Sequence, residues 1–175
     1  IPLWCAPSFY EVDLSEVPIL IGSFALGPLA GVMAELVKIL LNLIINGTKT
    51  AGIGELANFI MGCSLVVPSA IIYQRRKSRK TAFIGMIVGI LAMVIVASLL
   101  NAYVLLPVYA KAFGMPLEGL IDFGTAVNPS INNLSTFILF AVMPFNLFKG
   151  IVVTVVTGLL YSKIGPIIKT IARYE

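Results

Sequence analysis

Residues 81–110 read TAFIGMIVGILAMVIVASLLNAYVLLPVYA, and none of these side chains carries a formal charge. A helix needs about 20 consecutive apolar residues to cross the hydrocarbon core of a bilayer, so this stretch is long enough for one crossing. Other uncharged stretches cover residues 17–34, 56–74 and 123–148. Several such stretches in a chain of 175 residues predict an all-α fold, a polytopic membrane helix bundle.

The overall composition is typical of an integral membrane protein. Hydrophobic residues make up 59% of the sequence and charged residues 11%, and the mean hydropathy is +1.02. A soluble domain usually contains about 25% charged residues, so a soluble enzyme, a disordered chain and a nucleic-acid binder are excluded. The two cysteines, Cys5 and Cys63, predict no disulfide framework. Because the chain has no His, the commonest metal ligand and general base are missing, and we expect no metal site, no cofactor and no catalysis.

Proline, glycine and polar clusters divide the chain into five predicted helices within one membrane domain, residues 1–175. A loop with a short extended piece is predicted for residues 1–16, and an irregular outer connection for the Pro- and Gly-rich residues 107–130. The chain starts at Ile1 in what reads as the end of a helix, so we expect one further helix upstream. The predicted helices are 17–27, 28–45, 56–73, 81–106 and 131–163, with the last one broken at Pro144.

The distribution of charge predicts the orientation of the bundle. Lys and Arg accumulate in cytoplasmic loops, and residues 74–80 (QRRKSRK) hold five of the twelve basic residues. We therefore expect a multi-pass membrane protein with the 74–80 loop and the C-terminus in the cytoplasm. Alternation then puts residues 1–16, 46–56 and 107–130 outside, and these segments hold six of the eight acids.

Asn and Lys side chains occur at membrane depth, where polar groups are costly and usually face a partner or a cavity. Asn101, Asn146 and Lys149 fall in the outer half, and the last two share a helix face because they are three residues apart. Asn58 opens the third helix at the same level. This convergence predicts a pocket that is open to the outside and floored by apolar residues.

The chemistry of these residues suits a flat, uncharged ring system rich in amide groups better than an ion or a sugar. An Asn amide presents a donor and an acceptor together, and one Lys adds a point donor. Phe9 and Tyr109 are among the aromatic residues that could form flat walls. Hydrogen bonding of Asn between helices is the structural alternative. Glu35 and Lys38 are predicted to form an internal ion pair, and Gly85–Gly89 and Ala30–Ala34 are patterns that permit close helix packing.

Several motifs are similar to those of the riboflavin-specific, RibU-type substrate-binding S-components of energy-coupling factor (ECF) vitamin transporters. The similarity covers nearly the whole chain, and its two most specific motifs are Asn101-Ala-Tyr-Val-Leu-Leu-Pro-Val-Tyr109 and Met143-Pro-Phe-Asn146-Leu-Phe-Lys149-Gly. The supporting motifs are Asp13-Leu-Ser-Glu-Val-Pro18, Leu26-Gly-Pro-Leu-Ala-Gly31, Glu35-Leu-Val-Lys-Ile-Leu-Leu-Asn42 and Gly54-Glu-Leu-Ala-Asn58-Phe.

The resemblance implies six helices, of which the first is missing here, and a riboflavin pocket in the outer half that is covered by residues 4–16. It implies that Asn101, Asn146 and Lys149 contact the flavin, with Asn58 and the 9–14 strand (Phe9, Asp13, Leu14) as further contacts. The resemblance implies a protein of a prokaryotic plasma membrane that binds riboflavin from outside with high affinity. Uptake would be driven by ATP hydrolysis in partners, namely a transmembrane coupling subunit and two ATPase subunits.

Other ligands and other functions remain as alternatives. FMN is possible because Lys149 could also serve a phosphate oxygen, and an S-component for another vitamin such as thiamine is a second choice. A thiamine site should place acids or aromatic rings toward a cation, whereas this set is Asn plus Lys. A membrane enzyme acting on lipid and a purely structural scaffold are the alternatives from other classes.

Overall fold

The computed structural model describes residues 13–48, 52–112, 114, 116–126 and 128–171, with the backbone alone for 112, 123 and 162–171. The described residues form helices and turns and contain no strand. Two helices continue through a π-helical turn, at Asn101–Leu105 and at Ile138–Val142. The α-helices are α1 (Glu16–Leu26), α2 (Pro28–Asn46), α3 (Ile53–Arg75), α4 (Arg79–Leu100), α5 (Leu106–Ala112), α6 (Leu117–Thr125), α7 (Leu134–Phe137) and α8 (Met143–Ile171).

Within the described residues, four helical segments are long and apolar enough to cross a membrane. They are Pro28–Asn46, Ile53–Arg75, Arg79–Lys111 and Leu134–Tyr161. Helix α1 is also apolar, but its 11 residues span only about 16 Å at 1.5 Å per residue. The prediction of an all-α membrane helix bundle is confirmed.

Local sequence explains where the helices begin. Gly27 separates α1 from α2 with φ of 97°, a backbone conformation that favours glycine, and Pro28 follows at the first turn of α2. Ser78 starts α4 with a capping box, in which its side chain accepts from the Thr81 amide and Thr81 accepts from the Ser78 amide. The predicted boundaries of α1 and α2 agree with the structure to within one residue.

Two predictions about prolines were wrong, and both failed for the same physical reason. The last helix is not broken at Pro144, and the helix that contains Pro107 runs on to Ala112. Each proline is preceded by a π turn, in which the Met143 amide donates to the Ile138 carbonyl and the Leu106 amide donates to the Asn101 carbonyl. A π turn is wider than an α turn, so it makes room for the proline ring that would otherwise clash with the preceding turn.

The outer connection was also predicted wrongly in part. Residues 107–130 contain the end of α5 and all of α6, rather than irregular structure throughout. Helix α6 buries Leu120 and Ile121, and Gly124 lies so close to Phe137 that an added Cβ would come within 2.7 Å of its ring. Tertiary packing therefore stabilises a helix in a stretch whose glycines and prolines indicated a loop.

Close helix packing occurs where small residues were expected in α4. An added Cβ on Gly85 would lie 2.6 Å from the Ser69 carbonyl oxygen, and Gly89 faces the Leu65 carbonyl at similarly close range. The Ser69 hydroxyl also donates to the Gly85 carbonyl at 3.0 Å. Helices α3 and α4 therefore pack backbone against backbone. On α2 Gly31 faces Val66 at close range, and Ala34 packs against the buried residues around Val66.

The apolar interior has two clusters, which lie at different levels of the bundle. The first core cluster comes from α1, α3, α4 and α8 and includes Phe24, Tyr73 and Tyr161. The second core cluster includes Leu106, Ile131, Phe137 and Val142, with Leu120 and Ile121 from α6. In the last membrane-spanning segment, Val142 belongs to the second cluster and Val153 to the first. Asn146 and Lys149 lie between these two valines in the sequence. The polar residues of interest thus occupy the boundary between two apolar layers.

Candidate functional site

Four charged side chains from three helices meet inside the bundle. Lys38 Nζ on α2 lies 2.8 Å from Glu16 Oε1 on α1 and 2.6 Å from Glu35 Oε2 on its own helix. Lys149 Nζ on α8 lies 3.6 Å from the same Glu16 Oε1. The two carboxylates and two ammonium groups balance in formal charge, and this makes their burial tolerable.

The predicted ion pair between Glu35 and Lys38 is confirmed, but the rest of this charged cluster was not predicted. Glu16 was expected in an outer loop, whereas it is the first residue of α1 and is 1% exposed. No acid lies near Lys149 along α8, so sequence spacing carried no signal for its pairing with Glu16.

Glycine makes room for the buried carboxylate of Glu35. A Cβ added to Gly62 on α3 would lie 2.6 Å from Glu35 Cδ. Glu35 itself is fully buried, so α3 can approach the charged cluster closely only with a residue that lacks a side chain. Sequence position alone did not reveal this contact, because Gly62 and Glu35 are on different helices.

The two lysines of the cluster differ in whether their N–H groups donate hydrogen bonds within the protein. Lys38 donates a hydrogen bond to Glu16 and contacts both carboxylates. Lys149 contacts Glu16 at 3.6 Å, which is too long for a hydrogen bond, and it donates none to the described part of the chain. Its side chain is 13% exposed. Lys149 therefore has N–H donors available for a ligand, whereas Lys38 directs its ammonium group to Glu16 and Glu35.

Asn101 and Asn146 are both buried beside a π turn. Each donates from Nδ2 to the carbonyl one turn earlier on its own helix, Asn101 to Ala97 at 2.8 Å and Asn146 to Val142 at 2.9 Å. The two π turns contact each other, so the segments that carry the two amides are neighbours in the bundle. π turns are frequent at functional sites. The structure thus brings together the helical segments that carry Asn101, Asn146 and Lys149.

The remaining predicted residues lie in different surroundings. Tyr109 is half-buried against the second core cluster, and Asn58 is exposed on α3. Asp13 is exposed and accepts from the Ser15 amide at 2.8 Å and from the Ser15 hydroxyl at 2.5 Å, which stabilises the start of α1. Leu14 is 42% exposed. Phe9 lies outside the described residues.

The arrangement offers several hydrogen-bonding groups to a ligand. Buried amides and one ammonium with unused donors, bordered by apolar layers, can hold a flat molecule by a few oriented hydrogen bonds. Among the described residues no group of three or more His, Cys, Asp or Glu side chains could hold a metal ion.

Comparison with known proteins gives matches over most of the chain. The family described as ECF transporter, substrate-specific component, matches residues 2–161. Riboflavin transporter RibU of Staphylococcus aureus (strain TCH60) is 36% identical over 170 residues, which are 97% of this chain and 82% of that protein. Riboflavin transporter FmnP of Bacillus subtilis (strain 168) is 34% identical over 161 residues, 91% of this chain and 79% of that protein.

A solved structure has the same fold. The S component of a bacterial ECF transporter superposes with a TM-score of 0.71 and is 32% identical. The superposition covers 97% of this chain and 86% of that chain.

Proposed function

Because the chain belongs to the family of ECF transporter substrate-specific components, as its motifs predicted, we propose that it binds riboflavin from outside the cell for uptake. Relatives that are 34% and 36% identical over more than nine-tenths of the chain are named riboflavin transporters. They are named as transporters, which confirms the prediction of a transport protein rather than an enzyme.

One observation in the structure carries the choice of ligand. Lys149 donates no hydrogen bond to the described residues and its side chain is 13% exposed, three residues from the buried amide of Asn146. A partly buried ammonium whose donors are not used by these residues can donate them to a ligand. The pyrimidine edge of a flavin, with alternating carbonyl and N–H groups, can accept from Lys149 and exchange hydrogen bonds with an Asn amide.

Riboflavin would be held in the outer half of the bundle by Asn101, Asn146 and Lys149. Asn58, Tyr109 and the 9–14 segment, with Phe9, Asp13 and Leu14, would complete the pocket on its open side. Affinity would be high because a few fixed hydrogen bonds orient the ligand while apolar surface on both sides of the ring is removed from water. The apolar layers would exclude water from the edge that is recognised.

Uptake would need energy from partners. We infer that the chain works in the cell membrane with a transmembrane coupling subunit and two ATPase subunits. The sequence has no G-x-x-x-x-G-K-[ST] motif for phosphate binding. The 74–80 loop and the C-terminus would face the cytoplasm, where ATP is hydrolysed.

The test is a titration of the purified protein with riboflavin, followed by quenching of flavin fluorescence. We expect saturable, one-to-one binding with a submicromolar dissociation constant, and purified protein that is yellow when expressed with flavin present. FMN and thiamine are titrated in parallel as competing ligands. Absence of riboflavin binding, or tighter binding of thiamine, would refute the proposal. Tighter binding of FMN would identify the phosphorylated flavin as the ligand instead of riboflavin.

A further inference from the structure

We propose that Glu16 is a positioning residue for Lys149, and that Lys38 keeps Glu16 from taking up the donors of Lys149. This inference rests on the proposed function, because its consequence is a change in riboflavin affinity. It assigns ligand affinity to two residues, on α1 and α2, that are not among the proposed ligand contacts.

Geometry supports the role of Glu16. Lys149 has four rotatable side-chain bonds, so a free ammonium would spread over many rotamers or turn toward water. The single oxygen Glu16 Oε1 lies 3.6 Å from Lys149 Nζ, close enough to hold the ammonium by charge but too far to accept a hydrogen bond. Glu16 is itself 1% exposed, so water screens this attraction very little.

Lys38 explains why Lys149 remains at this distance. The same Glu16 Oε1 accepts a hydrogen bond from Lys38 at 2.8 Å, and Lys38 in turn contacts Glu35 at 2.6 Å. Without Lys38, Glu35 would lose the ion pair that it makes on its own helix, and Glu16 would keep Lys149 as its partner at 3.6 Å. Lys149 is the next cation within reach of Glu16, and it would then close onto the carboxylate. A ligand would have to break that hydrogen bond before it could bind.

The position of Glu16 at the start of α1 lets it contact two other helices. Glu16 is the first residue of α1 and is two residues after Leu14, which belongs to the segment proposed to contact the ligand. Glu16 therefore ties the end of that segment to α2 through Lys38 and to α8 through Lys149.

The experiment measures riboflavin dissociation constants for Glu16→Gln and Lys38→Met, each in the wild-type chain and in Lys149→Met. In the wild-type background we expect each change to weaken binding about tenfold. In Lys149→Met we expect neither change to weaken it further, because both act through Lys149. Glu118→Gln removes an exposed carboxylate on α6 and is the matched control, with an unchanged constant.

Each other outcome contradicts the inference. Equal weakening in both backgrounds would show a general loss of structure, and unchanged binding in the wild-type background would show that neither residue positions Lys149. If the wild-type chain itself fails to bind riboflavin, the proposed function falls and not only this inference.

Variants that retain the charge test the inference if the first variants do not fold. If Glu16→Gln or Lys38→Met shows no unfolding transition in detergent, Glu16→Asp and Lys38→Arg give the same comparison. Glu16→Asp shortens the side chain by one methylene and should weaken binding several-fold, again only where Lys149 is present. Lys38→Arg retains a cation that can donate to Glu16 and should bind within about twofold of wild type. Wild-type affinity in Glu16→Asp would overturn the inference.

Discussion

The phenol oxygens of Tyr73 and Tyr161 lie 2.8 Å apart in a buried hydrogen bond that joins α3 to α8. Their rings meet edge to face at 5.9 Å, and the Tyr73 ring also packs on Phe24 at 4.6 Å. Both tyrosines belong to the first core cluster, where the bond closes one end of the bundle. The pair is a polar contact inside an otherwise apolar layer, so each hydroxyl depends on the other.

Removal of one hydroxyl from this pair should lower the free energy of unfolding more than removal of both. Tyr161→Phe leaves the Tyr73 hydroxyl buried and unpaired, and we expect a loss of about 1–3 kcal/mol in the free energy of unfolding. The double change to Phe should recover most of this loss, because no polar group is left without a partner. Denaturant unfolding in detergent, followed by circular dichroism, measures the difference. A double variant less stable than Tyr161→Phe would contradict the prediction.

Gly62→Ala should destabilise the bundle because the new methyl group would meet the carboxylate of Glu35. Overpacking of this kind costs about 1–3 kcal/mol, and here the displaced group is also charged and buried. Gly22→Ala on α1 is the control, since nothing lies within 4 Å of its added Cβ and Ala is the better helix former. Thermal unfolding should show a lower midpoint for Gly62→Ala and an unchanged or higher one for Gly22→Ala. Equal midpoints would disprove the predicted clash.

Asn146→Ala and Lys149→Ala should each weaken riboflavin binding at least tenfold, equivalent to about 1.4 kcal/mol. Each change removes a polar group that is proposed to recognise the edge of the flavin ring. Leu147→Ala is the control on the same helix, since Leu147 is 44% exposed and lies between the two positions. Fluorescence titration gives the constants, and wild-type affinity in both polar variants would rule out these contacts.

The 74–80 loop should be inaccessible from outside intact cells. Lys80→Cys, made in a chain whose Cys5 and Cys63 are replaced by Ser, should react with a membrane-impermeant maleimide only after the cells are permeabilised. Glu118→Cys, which is exposed on α6, should react in intact cells because it lies on the other predicted side. Labelling of Lys80→Cys in intact cells would reverse the orientation.

The helices that cross the membrane were predictable because lipid imposes long apolar runs on the chain. Residues 81–110 are one such run, and the structure has a crossing segment at Arg79–Lys111. Close packing of α4 was foreseen from Gly85 and Gly89, since small residues spaced by four mark one helix face, but the pattern did not identify α3 as the partner. Helix α6 was missed because its glycines and neighbouring prolines resemble a loop, while the packing of Gly124 on Phe137 depends on residues elsewhere in the chain.

The candidate site was predictable only where its residues follow one another on a helix. Asn146 and Lys149 were recognised together because they are three residues apart on α8. Glu16 was assigned to an outer loop, since nothing near it in sequence indicates that Lys38 and Lys149 converge on its carboxylate. Contacts between residues so far apart along the chain arise from helix packing, which hydropathy and spacing do not specify.

The π turn at Ile138–Val142 amounts to one surplus residue in an otherwise α-helical rod. Deletion of a single residue there would restore ordinary winding and leave the two sides in nearly their present orientation, because the bond from the Met143 amide to the Ile138 carbonyl already takes the place of an ordinary α-helical bond. Deletion of a residue between Met143 and Asn146 has no such bulge to absorb it, and it would rotate Asn146 and Lys149 by roughly 100° relative to the start of the helix. A one-residue alignment gap at the π turn is thus compatible with the same binding face, whereas a gap in the regular part of this helix would signal a differently aimed one.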